Sequence, residues 1–477
     1  MAGITNRGPQ SGTRQGAPEL PFPQGFLWGA ATAAHQVEGN NTNNDWWAFE
    51  HRPGAIWHGD RSGLACDWWR NAEADFDLMA AMGHNTHRLS VEWSRIEPEE
   101  GRFDRAAIAR YREMLTGLRQ RGIEPMVTLF HFSSPLWLAA QGGWRNRAVV
   151  GHFRRFARHA VEQLGDLVKL WCTINEPNVY AVLGYLLGVH APGEKNPRRC
   201  FQALSHQLQA HAAAYRAIKA MDGAGQVGLV ANLVAFEPLD TSRASVQATR
   251  LADYLFHQLI FRPVSDGKLR FPLSAGTTTH GPLIDSVDFW GANYYTRQRV
   301  GITPGGDPRQ RRFLQLTPGW EVSDSGRSGP YGEIYPEGLY RALRRMASLG
   351  KPIYVTENGL PDADDDQRPR HLLTHLAQVQ RAIAEGVDVR GYYHWSLTDN
   401  FEWAEGWALR FGLIALDEQT QARRPRRSAQ LYADIIRANA ITPEIVATYA
   451  PEVTGNIFGE TPSPGNGSRS QATKDSL

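Results

Sequence analysis

The sequence is poor in cysteine. Its 477 residues include only three, Cys66, Cys172 and Cys200, and an odd, scattered set of this kind forms neither a disulfide framework nor a Cys-x-x-Cys metal site. A reducing compartment is the simplest setting for such a chain, so we expect a cytoplasmic protein. The first twenty residues also lack the apolar segment of a secretory signal peptide, and we expect none.

Long hydrophobic runs and an excess of charge are absent as well. No apolar run reaches the ~18 residues that a membrane span requires, and the formal net charge is only +2. Neither nucleic acid nor an anionic membrane surface is therefore an expected partner. The hydrophobic content of 42% and the charged content of 21% are ordinary for a globular protein.

Strand-like apolar segments alternate with amphipathic, helix-like segments along most of the chain. The strand candidates are residues 25–31, 85–91, 124–130, 169–175, 226–232, 287–295, 351–358 and 389–397. This alternation predicts an α/β protein whose parallel strands close into a single (β/α)₈ TIM barrel with long βα loops at its C-terminal face. The alternative is an open doubly wound sheet, which would favour a G-x-G-x-x-G turn after the first strand, and residues 25–39 lack that motif.

The two ends of the chain differ in composition from the barrel region. Residues 1–18 are rich in Gly, Pro, Gln and Arg, and residues 460–477 are rich in Ser, Gly and Pro. We expect both to be disordered tails that flank one hydrolase domain at residues 19–450. Residues 300–332, also rich in Gly, Pro and Ser, are either a loop on the catalytic face or a tolerated surface insertion.

Two glutamates stand at the ends of predicted strands, Glu176 after the fourth and Glu357 in the seventh. In a closed parallel barrel, the carboxyl ends of all strands meet at one face, so both carboxylates are expected to face one cleft. Other polar or aromatic side chains occupy equivalent positions. They are Gln36, Glu38, Arg88, His131, Asn175, Asn293, Tyr295, Trp395, Glu402 and Trp403.

A pair of carboxyl groups, one protonated and one ionised, is suited to cleaving a glycosidic bond. Amide, imidazole and indole N–H groups around the pair suit a ring of hydroxyls. Metal chemistry fits less well, because H-E-x-x-H is absent and we expect His84 and His87 to face opposite sides of their strand. We expect no metal and no cofactor, and the absence of G-x-S-x-G argues against a serine nucleophile. Each residue alone also has a structural interpretation, as an ion-pair member or a core side chain.

Seven motifs, in this order, extend the argument from residues to a family. They are QVEG (36–39), RLSVEWSRIEP (88–98), TINEP (173–177), NYYT (293–296), YPEGLY (335–340), YVTENG (354–359) and HWSLTDNFEW (394–403). Together they resemble family 1 of the glycoside hydrolases, the retaining β-glucosidases and β-galactosidases, over residues 20 to 450.

The resemblance implies a role for each candidate. Glu357 would be the nucleophile and Glu176 the acid/base, while Asn175 would bind the sugar 2-hydroxyl. Because ideal strand alternation puts Asn175 and Glu176 on opposite faces, the chain must already turn there. The remaining predicted site residues are those that would hold the other hydroxyls, Gln36, His131, Trp395, Glu402 and Trp403, and those that would flank or support the nucleophile, Tyr295, Arg88 and Asn293.

The implied substrates are terminal, non-reducing β-D-glucosides, with galactosides and fucosides as alternatives. A carboxylate at Glu402 would repel a phospho-sugar, and an intact Glu176 disfavours thioglucosides.

The chain departs from the common family pattern at three places. They are Phe132-Ser133-Ser134, where many members have Trp-Asp, residues 35–50, and the segment before YPEGLY, where the usual Trp is missing. Three alternatives stay open: a transglycosidase, a sugar-binding protein without catalysis, and a metal-dependent barrel hydrolase. The sequence assigns neither the aglycone nor the oligomeric state.

Overall fold

The computed structural model describes residues 19–221, 225–301, 314–315 and 332–459. The two predicted tails, 1–18 and 460–477, and most of the 300–332 segment lie outside the described residues, and the single-domain boundaries 19–450 stay a prediction. Within the described ranges, no helix combines the length and apolarity needed to cross a bilayer.

All eight predicted strands are present. They are β1 (Leu27–Ala31), β2 (Thr86–Ser90), β3 (Glu124–Phe130), β4 (Leu170–Asn175), β5 (Gln226–Pro238), β6 (Phe289–Val300), β7 (Ile353–Asn358) and β8 (Val389–Trp395). The predicted limits differ most at the carboxyl ends of β5 and β6, which run on to Pro238 and Val300. The two extensions pair with each other as far as these residues.

Each strand is parallel to the next one in sequence, and β8 pairs with β1, so the sheet closes on itself. Closure confirms the (β/α)₈ barrel and excludes the open, doubly wound alternative. The strand interiors are almost wholly buried, as expected when side chains fill the barrel on one side and helices cover the other. One further short strand, Leu314–Gln315, adds antiparallel to β6.

An outer layer of helices follows the strands. The main helices are α1 (Trp68–Ala81), α2 (Arg105–Gln120), α3 (Val149–Leu164), α4 (Pro197–Met221), α5 (Arg243–Asp253), α6 (Leu259–Asp266), α7 (Pro336–Ala347), α8 (Arg368–Ala384) and α9 (Arg427–Ala438). Shorter α-helices are Ala34–Val37, Asp45–Glu50, Trp93–Ile96, Leu136–Ala140, Pro177–Ala181, Pro443–Tyr449 and Thr454–Phe458. Single turns of other helix types are Trp57–Gly59, Gly143–Arg145, Val182–Leu187, Tyr254–Gln258, Gly281–Leu283, Trp403–Glu405 and Pro451–Val453.

Local sequence explains where these helices begin and end. The side chain of Asp104 accepts hydrogen bonds from the first backbone N–H groups of α2, as expected for an aspartate at the N-cap position. Glycines with positive φ follow the last turns of α1, α2 and α8, at Gly83, Gly122 and Gly386. A helix end of this type requires a residue in the left-handed backbone region, and glycine adopts that region without a steric cost.

Short antiparallel pairs complete the fold outside the barrel. They are Leu20–Pro21 with Ala440–Ile441, Lys268–Leu269 with Thr278–Thr279, and Ile414–Leu416 with Arg423–Pro425. The first pair joins the start of the described chain to the segment after α9, and the last lies in the loop after β8.

Candidate active site

Glu176 lies at an abrupt turn between a strand and a helix. Strand β4 ends at Asn175, Pro177 begins the helix Pro177–Ala181, and Glu176 between them has φ 43° and ψ 62°. This left-handed backbone breaks the strand alternation, so that Asn175 and Glu176 reach the same group: the amide Nδ2 of Asn293 donates to both, at 3.1 and 2.8 Å. The turn that the sequence requires is present.

Neutral amides surround the Glu176 carboxyl group, which is only 5% exposed. Its Oε1 accepts hydrogen bonds from Nδ2 of Asn232 and Nδ2 of Asn293, both at 2.8 Å. Burial, and then the negative charge of Glu357, raise the pKa of Glu176 to about 8, against the opposing effect of the two amides. Glu176 therefore carries a proton at neutral pH, as a general acid must.

Glu357 is 4% exposed and has charged and phenolic partners instead. It lies in β7, where the register against β6 shifts between Val355 and Glu357. Arg88 Nη1 donates to its Oε1 at 2.5 Å, and the Tyr295 hydroxyl donates to its Oε2 at 2.7 Å. Burial raises the pKa of Glu357 above its ordinary value, and the Arg88 cation and the Tyr295 hydroxyl oppose that rise. Of the two acids, Glu357 is the one whose ionised form has a cation in contact.

A continuous hydrogen-bond network joins the two acids. Arg88 donates to Glu357 and, through Nη2, to Oδ1 of Asn175 at 2.7 Å. The same Oδ1 accepts from Asn293, which also binds Glu176. The carboxyl groups predicted from strand ends far apart in sequence therefore belong to one site.

His131 extends this network with a proton whose position the contacts determine. The amide Nδ2 of Asn175 faces His131 Nε2 at 3.1 Å, and because an amide nitrogen donates, Nε2 accepts and the neutral ring carries its proton on Nδ1. Burial lowers the pKa of His131 well below its ordinary value, so the ring is neutral. Nδ1 has no hydrogen-bond partner in the part of the chain that the structure describes, which leaves a buried donor available.

Gln36 and Glu402 form another wall of the site. Gln36 Nε2 lies within hydrogen-bond distance of Asn400 Oδ1, the Phe401 carbonyl and Glu402 Oε2, at 3.0, 2.9 and 3.1 Å. Its Oε1 has no partner among the residues described. Burial, and then the negative charge of Glu357, raise the pKa of Glu402 to about 8. Since the charge of Glu357 acts on Glu402, Glu402 lies in the same buried pocket as the two acids.

Aromatic rings line the pocket beside His131. The ring centroid of His131 lies 5.8 Å from Trp395 and 6.0 Å from Trp403. Trp403 also packs against Trp46 at 4.6 Å and against Phe132 at 5.3 Å. These contacts place all the side chains predicted for the site in one cluster: Gln36, Arg88, His131, Asn175, Glu176, Asn293, Tyr295, Glu357, Trp395, Glu402 and Trp403.

Glu38 differs from the other strand-end candidates. Its carboxylate accepts hydrogen bonds from Asn41 Nδ2, Arg95 Nε and the Tyr111 hydroxyl, at 3.1, 2.7 and 2.6 Å. With its oxygens engaged in this way, Glu38 links the loop after β1 to the segments after β2, including α2. The sequence-based grouping of Glu38 with the site side chains is not supported.

Two site residues were not predicted, Asn232 and Trp46. Asn232 could have been found, because it is the last residue of the fifth predicted strand. Trp46 belongs to the stretch that departs from the common family form, and it packs against His190 and Trp403. The backbone of the other departure, Phe132-Ser133-Ser134, is tied to this stretch, because Ser134 N donates to Asp45 Oδ1 at 2.7 Å.

Comparison with known proteins identifies relatives along the whole barrel. The model of "Glycosyl hydrolase family 1" matches residues 19–441. "Beta-glucosidase A" of Thermotoga maritima is 33% identical over 447 residues, which cover 88% of this chain and 98% of that protein.

Solved structures are similar to this chain as well. A β-glycosidase from Pyrococcus horikoshii is 38% identical, with a TM-score of 0.83 over 91% of this chain and 98% of its own. A β-glucosidase from Thermotoga maritima in complex with glucoimidazole is 33% identical, with a TM-score of 0.81 over 88% of this chain and 100% of its own.

Proposed function

Because the chain belongs to glycosyl hydrolase family 1, we propose that this β-glucosidase-type enzyme releases terminal, non-reducing β-D-glucosyl residues with retention of configuration. The names of the relatives, β-glucosidase and β-glycosidase, support this substrate class. The observation that carries the proposal is the unequal surroundings of two carboxyl groups in one site: amides surround Glu176, and a cation contacts Glu357.

Glycosylation is the first step. Glu176 donates its proton to the glycosidic oxygen while a carboxylate oxygen of Glu357 attacks the anomeric carbon. The bond between that carbon and the leaving oxygen breaks, and a covalent glycosyl-enzyme forms. Arg88 and Tyr295 hold the attacking carboxylate in place and favour its charged form before attack.

Deglycosylation reverses the role of Glu176. Once Glu357 is esterified, its negative charge no longer raises the pKa of Glu176, so Glu176 is the stronger acid and is left as a carboxylate. It then removes a proton from water, which attacks the anomeric carbon and releases the sugar and Glu357. The pKa of Glu176 thus falls when the glycosyl-enzyme forms and rises again when Glu357 is released.

Buried polar atoms without partners support sugar binding in the same pocket. His131 Nδ1 is a free donor and Gln36 Oε1 is a free acceptor within the described ranges, and leaving such groups unpaired is costly unless a ligand satisfies them. We assign them, with Trp395, Glu402 and Trp403, to the 3-, 4- and 6-hydroxyls, and Asn175 to the 2-hydroxyl. Glu402 favours an unphosphorylated sugar, because a buried carboxyl group beside the ionised Glu357 offers a phosphate no positive charge.

The cysteines support a reducing, cytoplasmic setting. All three are unpaired and buried, and burial raises the pKa of Cys66 to about 12. Such thiols are poor nucleophiles and contribute packing rather than chemistry.

The proposal is tested with a 2-deoxy-2-fluoro-β-glucoside that carries a good leaving group. The fluorine slows both steps, so the glycosyl-enzyme should accumulate and peptide mapping should place the sugar on Glu357. Glu357→Gln is the matched control and should take no label. A label on another residue would reassign the nucleophile, and no hydrolysis of aryl β-glucosides by the wild type would refute the substrate class. Product analysis with an added alcohol separates hydrolysis from transglycosylation, which uses the same intermediate.

A further inference from the structure

A buried histidine lies behind the sugar-facing aromatic wall. His35 is not among the predicted site residues, yet its ring is nearly parallel to that of Trp403, with an interplanar angle of 10° and a centroid distance of 5.9 Å. Trp46 packs against Trp403 as well, at 4.6 Å. His35 and Trp46 are thus two of the rings that contact Trp403, and neither has a role in the mechanism above.

The backbone of Trp403 needs such support. Its φ of 54° lies in the left-handed region, which is unfavourable for a bulky side chain and persists only where the surroundings impose it. Trp403 begins a single helical turn, Trp403–Glu405, and so has no long element of its own to hold its ring. The packing of neighbouring side chains must therefore supply the restraint.

The orientation of the His35 ring is itself determined. Asn44 Oδ1 accepts from the backbone N–H of Trp47 at 2.8 Å, so its Nδ2 is the group that faces His35 Nδ1, at 3.0 Å. Because an amide nitrogen donates, Nδ1 accepts, and the neutral imidazole carries its proton on Nε2.

The other side of the ring faces a buried carboxylate. His35 Nε2 lies 3.6 Å from Glu50 Oε2, and both side chains are fully buried. Glu50 accepts from the N–H and hydroxyl of Ser62 at 3.2 and 3.0 Å, and no Arg or Lys pairs with it in the ranges that the structure describes. Nε2 of His35 therefore faces this carboxylate at a distance too long for a hydrogen bond, and it has no hydrogen-bond partner among the residues described.

These supports come from one short helix. Asn44 caps the helix Asp45–Glu50, Trp46 lies in its first turn and Glu50 is its last residue. We propose that His35, oriented by Asn44 and facing Glu50, is a positioning residue that fixes the Trp403 ring and thereby determines how the enzyme recognises the glycone hydroxyls that Trp403 serves. The inference rests on the proposed function, since it assigns Trp403 to the 3-, 4- or 6-hydroxyl.

The test compares His35→Leu and His35→Phe on an aryl β-glucoside and its 2-, 3-, 4- and 6-deoxy analogues, with kcat and KM measured separately. Leucine removes the flat ring and should lower kcat/KM for the parent glucoside about tenfold, whereas phenylalanine keeps the ring and should recover most of that loss. The loss should shrink for at least one of the 3-, 4- and 6-deoxy sugars, because the hydroxyl in question is already missing. It should persist for the 2-deoxy sugar, whose missing hydroxyl is assigned to Asn175.

A purely structural role would give a different pattern. Val446→Ala, a truncation of a buried side chain in the helix Pro443–Tyr449, serves as the control: it should lower the melting temperature without changing the ratios between substrates. An equal loss on all five substrates, or no loss, would overturn the inference. If His35→Leu does not fold, Glu50→Gln replaces it, because it removes the charge that faces Nε2 and nearly preserves shape. A wild type without activity on β-glucosides would instead refute the proposed function.

Discussion

The substitution Asn232→Leu tests which carboxyl group acts as the acid. Asn232 Nδ2 donates to Glu176 Oε1 at 2.8 Å, and such a bond stabilises the ionised carboxylate more than the protonated acid. Leucine has a similar shape but cannot donate. The variant should therefore make Glu176 harder to ionise and raise its pKa, leaving Asn293 as the remaining amide donor.

The size of the shift follows from the contact. A hydrogen bond to a charged group contributes about 1.5 kcal/mol, and one pKa unit corresponds to about 1.4 kcal/mol. The pKa of Glu176, raised by burial to about 8 in the wild type, should move up by about one unit. At pH 8.5, the protonated fraction would then rise from about one quarter to about three quarters.

The assay is the pH dependence of kcat/KM for an aryl β-glucoside, which reports the ionisation of the free enzyme. The basic limb of the profile should move from about pH 8 to about pH 9. The acidic limb should stay in place, because Asn232 makes no hydrogen bond to Glu357 among the contacts described. It serves as the internal control for general damage to the site.

Glu402 makes the experiment decisive, because burial and neighbouring charges raise its pKa to about 8 as well. Its amide donor is Gln36 rather than Asn232. If Glu402 set the basic limb, Asn232→Leu would leave it in place and Gln36→Leu would move it. A basic limb that does not respond to Asn232→Leu, or that moves to lower pH, would refute the assignment of Glu176 as the acid.

Three further predictions concern the nucleophile, the backbone beside it and metal dependence. Tyr295→Phe removes the hydroxyl donor to Glu357 Oε2; kcat/KM should fall about ten- to a hundredfold and the acidic limb should move to higher pH, measured in the same profile. Gly359→Ala places a Cβ 1.8 Å from the Trp395 carbonyl oxygen and should cost about 1–3 kcal/mol in the free energy of unfolding by denaturant titration; an unchanged midpoint would contradict it. EDTA should leave the rate of glucoside hydrolysis unchanged, since every proposed step uses side-chain acids, and a loss restored by a divalent ion would favour the metal-dependent alternative.

The fold could be predicted because every strand of a closed parallel barrel carries the same local pattern. Both faces of β4 and β7 are buried, so their apolar runs are continuous. Helices elsewhere in the barrel end at glycines, such as Gly83 and Gly386, that adopt positive φ. The extensions of β5 and β6 could not be predicted in this way. They pair beyond the barrel, as Pro238 does with Val300, and such pairing depends on a partner that is distant in sequence.

The sequence predicts those site residues that stand at the ends of strands. Glu176 and Glu357 follow from topology alone, since the strands deliver their last residues to one face. Trp46 and His35 could not be found, because they reach the site through packing with Trp403 rather than from a strand end. Glu38 shows the opposite error: it follows a strand, but Arg95 and Tyr111 occupy its carboxylate.

The difference between the two acids arises from which side chains the neighbouring strands provide. Among the residues described, Glu357 receives hydrogen bonds from Arg88 of β2 and from a phenol of β6, whereas Glu176 receives them only from amides of β5 and β6. An amide donates a hydrogen bond but carries no charge, so it orients Glu176 without overcoming the cost of ionising a buried group beside Glu357. A cation in place of Asn293 would reverse that balance and hold both acids ionised, which leaves no proton for the departing oxygen. The neutrality of Asn232 and Asn293 is therefore as necessary to the proposed reaction as the charge of Arg88.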